Sequence, residues 1–90
     1  MEEFKQRLDQ WLVHARFVKS RNLAKAIIIK GKMRINGERT KNISIKIKEG
    51  DILNFFKDDT LYMVKINSLS LHRVSAKDVG ILYENLLENP

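Results

Sequence analysis

Between residues 16 and 41 the sequence carries a dense series of basic side chains whose types and spacing suit the binding of a polyanion. Arginine can form two parallel hydrogen bonds to one phosphate, and lysine supplies a compact positive charge. The candidates are Arg16, Lys19, Arg21, Lys25, Lys32, Arg34, Arg39 and Lys41. Arg21 and Lys25 lie four residues apart, a spacing at which like charges repel each other on a helix. Stability alone does not favour this pair, so the pattern indicates a negatively charged ligand.

The net charge is +6, the sequence pI is about 9.8, and the basic residues are unevenly distributed. Residues 1–48 contain 13 Lys or Arg and four Asp or Glu, whereas residues 49–90 contain four and seven. Such an asymmetry is expected when one face binds nucleic acid, because cations displace counterions that are condensed on phosphates. Each single cation can instead be a solvated surface residue, but that alternative does not explain their concentration in one half of the chain.

The spacings typical of enzyme active sites are absent from the sequence. His14 and His72 are far apart, and the four glycines are isolated, so no glycine-rich phosphate loop is present. Asp58-Asp59 lies between two strand patterns and predicts a turn more readily than a catalytic pair of carboxylates. There is no cysteine, which excludes disulfides and thiolate metal sites. The sequence therefore predicts a non-enzymatic binding protein with no cofactor, no metal and no small-molecule substrate.

The length of 90 residues predicts a single domain over residues 1–90. The first ten residues, MEEFKQRLDQ, lack the apolar core of a signal peptide. No apolar run approaches the ~18 residues that a membrane helix needs. We expect a cytoplasmic protein without a membrane partner, in agreement with the absence of cysteine.

Apolar residues at helical spacing predict two N-terminal helices, over residues 4–15 and 21–30. The apolar stripes consist of Phe4, Leu8, Trp11, Leu12 and Ala15 in the first and of Leu23, Ala24, Ile27 and Ile28 in the second. Ser20 is the candidate N-cap of the second helix, and Gly31 predicts a left-handed C-cap. The run Ile27–Ile29 is also compatible with a strand, but the preceding turn and the cap favour a helix.

From residue 32 the polarity alternates with a period of two, which predicts antiparallel strands. The predicted strands cover residues 32–35, 43–48, 52–57 and 61–69. Asn36-Gly37 and Asp58-Asp59 predict the tight turns of two hairpins. The order of elements predicts an α+β fold, in which two N-terminal helices accompany a small antiparallel sheet.

Residues 75–88 have the pattern of a short amphipathic C-terminal helix. Ser75 and Asp78 stand at the spacing of a capping box. The apolar stripe that follows consists of Val79, Leu82, Tyr83, Leu86 and Leu87. The stripe can cover the protein's own sheet, or it can dock on a protein partner. The second possibility makes a protein-interaction subunit the alternative function.

Several short motifs occur in a fixed order between residues 7 and 53. They are Arg7-Leu8-Asp9, Ser20-Arg21 with Ala24, Gly31, Ile35-Asn36-Gly37 and Gly50-Asp51. This order resembles the RNA-binding domain first recognised in ribosomal protein S-four, although Met33 stands where valine is usual. The resemblance implies the alpha-L RNA-binding motif, with two helices packed on a small antiparallel sheet. It assigns residues 7–53 to the core motif. The residue patterns assign residues 54–74 to additional strands and residues 75–88 to the C-terminal helix.

A free-standing domain with a short C-terminal helix is similar to the heat shock protein 15 family and to the ribosome quality-control protein P. The segments RLDQWLVHARFVKSR and LSLHRVSAKDVGILYE resemble the first of these. This resemblance implies binding to ribosomal RNA and tRNA on the large ribosomal subunit. It further implies a role in the rescue or recycling of stalled subunits that carry peptidyl-tRNA. The C-terminal tail is shorter and less basic than in some heat shock protein 15 members, which favours the quality-control protein. We expect a monomer when the protein is free.

Carried over by position, the resemblance makes Arg7 and Arg21 the first candidates for RNA contact. The next candidates are Arg16, Lys19, Ser20, Lys25 and Asn36. The charge pattern adds Lys32, Arg34, Arg39 and Lys41. Two structural alternatives remain open, since Asp9 can pair with a nearby arginine and Asn36-Gly37 can serve only the turn.

Overall fold

The computed structural model describes residues 4–87. Its helices are α1 (Leu8–His14), α2 (Arg21–Lys30) and a 3₁₀ helix (Ala76–Ile81). Its strands are β1 (Gln6–Arg7), β2 (Arg34–Ile35), β3 (Glu38–Arg39), β4 (Lys46–Ile47), β5 (Ile52–Lys57), β6 (Thr60–Ile66) and β7 (Tyr83–Asn85). The predicted α+β class, with two N-terminal helices and a short C-terminal helix, is confirmed.

The strands of the described residues form two antiparallel sheets. The larger sheet has five strands in the order β3-β2-β5-β6-β7, and β1 pairs with β4 in a separate two-stranded sheet. The β5–β6 hairpin is its longest pairing, running from Ile52 opposite Lys65 to Lys57 opposite Thr60. The two predicted tight turns are confirmed by positive φ angles, 52° and 87° at Asn36-Gly37 and 51° and 63° at Asp58-Asp59.

The core lies between the helices and the inner face of the larger sheet. Trp11 of α1, Ile28 of α2 and Phe55 of β5 are completely buried. Phe17, in the loop between the helices, packs edge-on against Phe55 with a centroid distance of 5.4 Å and lies 4.8 Å from the ring of Tyr83. Phe17 therefore has a core role, which explains why an aromatic residue lies within the basic segment.

The first helix begins at Leu8 and not at residue 4. Residues 6–7 are extended and pair with β4, and the Leu8 N–H donates to the Ile45 carbonyl at 2.9 Å. Phe4, which was expected in the buried stripe, is 62% exposed. The helical pattern is a local signal, and it is overridden here because β4 satisfies the backbone of residues 6–7 across a distance of 40 positions in sequence.

The second helix has its predicted bounds, and the Leu23 N–H donates to the Ser20 hydroxyl at 3.2 Å. Two details of the prediction are wrong. Leu23 is 51% exposed and does not belong to the buried stripe. Gly31 has a φ of −86°, so it is not a left-handed cap. Glycine is required there for space, because a Cβ atom would lie 2.5 Å from the Phe56 carbonyl oxygen and 2.6 Å from that of Ile27.

Gly31→Ala is expected to lower the free energy of unfolding by about 1–2 kcal/mol. Overpacking costs about 1–3 kcal/mol, and the smaller conformational freedom of alanine in the unfolded chain offsets part of that cost. Urea unfolding followed by circular dichroism measures the difference. Gly80→Ala is the matched control, because no atom lies within 4 Å of the added Cβ. Equal stabilities of Gly31→Ala and the wild type would show that the close approach is absent.

Three predicted strands have different bounds in the structure. Lys32 has a φ of 55°, so the first strand begins only at Arg34. Asn42 caps a turn through its side chain, which accepts from the Ser44 N–H at 2.9 Å and shortens the second strand to Lys46–Ile47. The last strand ends at Ile66, because the N–H groups of residues 67–68 donate to the carbonyl of Leu82 instead.

The C-terminal helix is present but ends at Ile81, and residues 83–85 form β7 instead of helix. The tail pairs with β6, whose edge would otherwise expose unpaired backbone groups. Leu82 is 3% exposed and belongs to the core. Leu82 and Tyr83 of the apolar stripe thus pack on the protein's own core, which supports one of the two alternatives. Residue 88 lies outside the described residues.

Candidate nucleic-acid interface

A buried carboxylate joins the two arginines that the sequence placed first among the candidates. Asp9 of α1 has no solvent exposure. Arg7 donates to it twice, from Nε to Oδ1 at 3.1 Å and from Nη2 to Oδ2 at 3.0 Å. Arg21 donates from Nη2 to both carboxylate oxygens at 3.3 Å. This confirms that Asp9 pairs with a nearby arginine, and it brings together Arg7, which precedes α1, and Arg21, which begins α2.

The pKa of Asp9 lies below its ordinary value of 3.8, although burial acts to raise it. The hydrogen bond from Arg7, the charges of Arg21 and Arg7 and the Gln10 backbone N–H all favour the ionised carboxylate and together outweigh burial. Asp9 therefore remains ionised at neutral pH and holds both guanidinium groups.

The two arginines remain accessible to a ligand. Their side chains are 38% exposed for Arg7 and 50% for Arg21. Asp9 engages only Nη2 of Arg21, which leaves N–H groups of that guanidinium for a phosphate. The fold fixes the positions of the two arginines, since Arg7 ends β1 and Arg21 is the first residue of α2. The arrangement can offer two pre-oriented cationic groups to a phosphate-rich surface. We call Arg7, Asp9 and Arg21 the arginine pair site.

The loop between the helices carries the next two candidates. Arg16 has a φ of 65°, and its Nη1 donates to the Val74 carbonyl at 3.2 Å. Both Arg16 and Lys19 are exposed. Arg73 also reaches this region, because its Nε donates to the Val13 carbonyl at 3.3 Å. No sequence pattern indicated Arg73, because only tertiary contacts bring it to this loop.

The hairpin β2–β3 carries a second group of candidate cations. Arg34 lies directly opposite Arg39, and both are exposed. Like charges directly opposite each other destabilise a strand pair, so this placement is not chosen for stability. Lys41 is exposed just beyond β3, and Lys32 is exposed just before β2. Arg34 and Arg39 place positive charge on the β2–β3 hairpin, which forms one edge of the larger sheet.

Two of the remaining three candidates, Ser20 and Asn36, have structural tasks. Ser20 caps α2, and Lys25 is half-buried. The Asn36 side chain donates to Oδ1 of Asp51 at 3.0 Å and accepts from the Ile52 N–H at 2.9 Å. It therefore ties the β2–β3 turn to the start of β5. RNA contact by Ser20, Lys25 and Asn36 stays a prediction beside these roles.

Comparisons with known proteins agree with this arrangement. The S4 domain model matches residues 6–53, which contain the arginine pair site and the β2–β3 hairpin. The chain is 38% identical over 84 residues to the heat shock protein 15 homolog of Haemophilus influenzae, covering 93% of this chain and 63% of that protein. It is 33% identical over 84 residues to the RQC P-site tRNA stabilizing factor of Halalkalibacterium halodurans, covering 93% of each. The chain belongs to the heat shock protein 15 family of S4-domain proteins.

A solved heat shock protein 15 structure shares the fold. The protein from Vibrio cholerae, described as trimeric, superposes with a TM-score of 0.81 at 30% identity, covering 91% of this chain and 82% of the other. The chain spans slightly under two thirds of the length of the heat shock protein 15 relative from Haemophilus influenzae, whereas the tRNA stabilizing factor has nearly the same extent. In residues 4–87 no helix has both the length and the apolar character that crossing a membrane requires.

Proposed function

We propose that this protein is a non-enzymatic RNA-binding factor that binds ribosomal RNA and tRNA on the large ribosomal subunit in the cytoplasm. Its role is to hold peptidyl-tRNA on stalled subunits during their rescue or recycling. The observation that carries the proposal is the arginine pair site, in which one buried carboxylate holds two accessible guanidinium groups.

The geometry supports phosphate recognition because the two guanidinium groups are fixed before any ligand arrives. Long basic side chains normally lose conformational freedom on binding, and a preformed arrangement reduces that cost. The exposed Arg34 and Arg39 extend the positive charge beyond the arginine pair site. Such a surface suits folded RNA, which proteins recognise largely by its shape and its phosphate and sugar groups.

The relatives support the same partner class. A relative of nearly equal extent is named for stabilizing a P-site tRNA, and the match covers 93% of each protein. A second factor of that name, from Bacillus subtilis, is 38% identical over 63 residues, covering 70% of this chain and 72% of that protein. None of these names describes a catalytic activity, in keeping with a binding role.

The alternative function, docking of a protein partner through the C-terminal apolar stripe, has less support. Leu82 is buried, and Tyr83 packs edge-on against Trp11 at 6.1 Å. The same side chains cannot cover the sheet and a partner at once. We keep the monomeric state as a prediction. Light scattering at the concentration of the binding experiments distinguishes it from the trimer described for the Vibrio cholerae protein.

Co-sedimentation with separated ribosomal subunits and with free tRNA tests the proposal. We expect recovery with large subunits at low salt and a clear loss at higher salt, because binding releases counterions from several phosphates. Small subunits are the matched control for non-specific attraction to RNA. Equal recovery with both subunits would contradict large-subunit binding, and recovery with no RNA species would contradict the proposal as a whole.

A further inference from the structure

A groove runs along the side of α2 that lies opposite the arginine pair site. Successive residues of a helix are rotated by about 100°, so Arg21 lies about 160° around the helix axis from Leu23, which lines the groove. The loop between the two helices borders one end of the groove, and the β5–β6 turn at Asp58-Asp59 borders the other. The groove is open to solvent and has a volume of about 780 Å³. A ligand in it can therefore be distinguished from one at the arginine pair site.

Apolar residues of α2 and of the preceding loop form one part of the lining. They are Phe17, Val18, Leu23, Ala26 and Ile27. Leu23 is 51% exposed, and Ile27, one helical turn further on, is 8% exposed. A single exposed leucine is common on protein surfaces. A leucine in a groove among other apolar residues is instead typical of a site that a partner's side chain fills.

Basic side chains lie at both ends of this apolar lining. Arg16, Lys19 and Arg73 lie at the end beside the loop between the helices. Lys30 and Lys57 lie at the end beside the β5–β6 turn. The ten residues of α2, which separate the two ends, span about 15 Å. The groove thus has a basic, apolar, basic pattern with the length of a short peptide segment.

Two crossed hydrogen bonds hold the basic end beside the loop. Arg16 Nη1 donates to the Val74 carbonyl at 3.2 Å, and Arg73 Nε donates to the Val13 carbonyl at 3.3 Å. Each arginine is therefore fixed by the backbone of the other's segment. Further N–H groups of both guanidinium groups are left for a carboxylate.

The other basic end is placed where α2 joins β5. The Phe56 N–H donates to the Gly31 carbonyl at 2.8 Å, directly after Lys30 at the end of α2. Side chains alternate along a strand, so Lys57 shares the helix-facing side of β5 with the buried Phe55. Lys30 and Lys57 are thereby brought to the same end of the groove.

The five basic side chains of the groove are not neutralised by the part of the chain that the structure describes. No ion pair within 4.0 Å joins any of them to a carboxylate of residues 4–87. Asp58 and Asp59 also line the groove, but both are exposed and they are outnumbered. The local field therefore favours an acidic ligand.

The apolar lining decides which class of acidic ligand fits better. An RNA backbone gains little from Leu23 and Ile27, and the carboxylates of Asp58 and Asp59 disfavour a continuous row of phosphates. Protein interfaces commonly combine an apolar anchor at the centre with charged groups at the rim. The order of basic and apolar residues in the groove matches a peptide with acidic ends and an apolar middle.

We propose that the groove docks an acidic amphipathic segment of a protein partner. Its apolar side chains pack on Leu23 and Ile27, and its carboxylates pair with the basic side chains at the two ends. This inference goes beyond the proposed function and does not depend on it, because the arginine pair site lies on the opposite side of α2.

The test uses labelled peptides of about eleven residues, long enough to span α2 as a helix. The first peptide has glutamates at both ends and two leucines four positions apart in the middle. The second has serines in place of the leucines, and the third has lysines in place of the glutamates. Fluorescence anisotropy measures binding to the full chain. We expect the first peptide to bind at least about tenfold more tightly than either of the others.

A neutral substitution in the groove tests the apolar anchor. Leu23→Gln should weaken binding of the leucine peptide by at least about fivefold and leave binding to large ribosomal subunits unchanged. Ile29→Gln is the matched control, because Ile29 is a 45% exposed apolar residue of the same helix outside the groove. Both positions are exposed, so circular dichroism should show an intact fold. Equal binding by Leu23→Gln and Ile29→Gln would overturn the proposal.

A double variant tests the basic end that is not a candidate for RNA contact. Lys30→Gln combined with Lys57→Gln should weaken peptide binding by at least about fivefold. Lys65→Gln combined with Lys77→Gln is the matched control, since it removes the same charge from exposed positions outside the groove. If the groove variant instead lost only large-subunit binding, the groove would be an RNA surface and the proposal would be wrong.

The peptide and ribosome experiments fail independently of each other. No binding of the leucine peptide, or equal binding of the leucine and serine peptides, would overturn the docking groove even where large subunits bind. Peptide binding that follows the expected pattern, without binding to any RNA, would support the groove and overturn the proposed function.

Discussion

Asp9→Asn is expected to lower the free energy of unfolding by about 3 kcal/mol at pH 7. The substitution keeps the size of the side chain but removes the charge that holds Arg7 and Arg21. Removing one partner of a buried ion pair costs about 3–5 kcal/mol, and the lower end applies because both arginines are partly exposed and regain hydration. Urea unfolding gives the difference. Asp59→Asn is the matched control. Asp59 is exposed in a turn, and asparagine adopts its positive φ angle as readily as aspartate does.

The contribution of Asp9 to the stability of the fold should decrease as the pH falls. Its pKa is lower in the folded protein than its ordinary value of 3.8, so the ionised carboxylate stabilises the fold above that value. As the pH falls below 3.8 through the folded pKa, this contribution is lost. The stability difference between the wild type and Asp9→Asn should therefore be constant from pH 5 to 7 and shrink below about pH 4. A difference that grows on acidification would contradict the ion-pair geometry.

The same variant separates positioning from simple charge in RNA binding. Asp9→Asn raises the net charge from +6 to +7, so long-range electrostatics alone predicts tighter binding. If Asp9 orients Arg7 and Arg21, binding should weaken despite the added charge. Tighter binding by a folded Asp9→Asn protein would show that Asp9 does not position the arginines for RNA.

Arg21→Ala is expected to weaken binding to large ribosomal subunits by about 5- to 150-fold. The range corresponds to the loss of about 1–3 kcal/mol from a charge-assisted contact with phosphate. Titration at a fixed salt concentration measures the change, and the salt dependence should become shallower because one fewer phosphate is neutralised. Arg7 retains its two bonds to Asp9, so circular dichroism should show an intact fold.

Two further variants show whether a loss of binding in Arg21→Ala comes from the guanidinium group or only from the lost charge. Arg21→Lys keeps the charge but cannot donate to a phosphate through a planar fork, so it should recover only part of the affinity. Lys77→Ala removes one positive charge from an exposed position in the 3₁₀ helix and should have little effect. Unchanged binding by a folded Arg21→Ala protein would exclude Arg21 as a principal RNA contact. An equal loss in Lys77→Ala would indicate that only the total charge matters.

Local signals predicted much of the fold because they act over a few residues. Ser20 caps α2 as expected, since its hydroxyl needs only the N–H groups of the following turn. Asn36-Gly37 forms its turn because asparagine and glycine accept positive φ angles at little cost. The predicted start of α1 and the predicted end of the C-terminal helix were wrong, because long-range pairing decides them. Residues 6–7 and 83–85 satisfy their backbone groups by pairing with distant strands, which no local pattern reveals.

The sequence by itself determined the fold class, the S4-type order of motifs and the concentration of cations in the first half of the chain. These properties depend on periodicity, turn residues and composition, all of which are visible along the chain. Only the tertiary structure decided how the cations are arranged. It placed Asp9 between Arg7 and Arg21, and it turned Phe56 outward while burying its neighbour Phe55. The physical reason is that the partners and the burial of a side chain depend on residues far away in the sequence. Packing of the folded chain decides both.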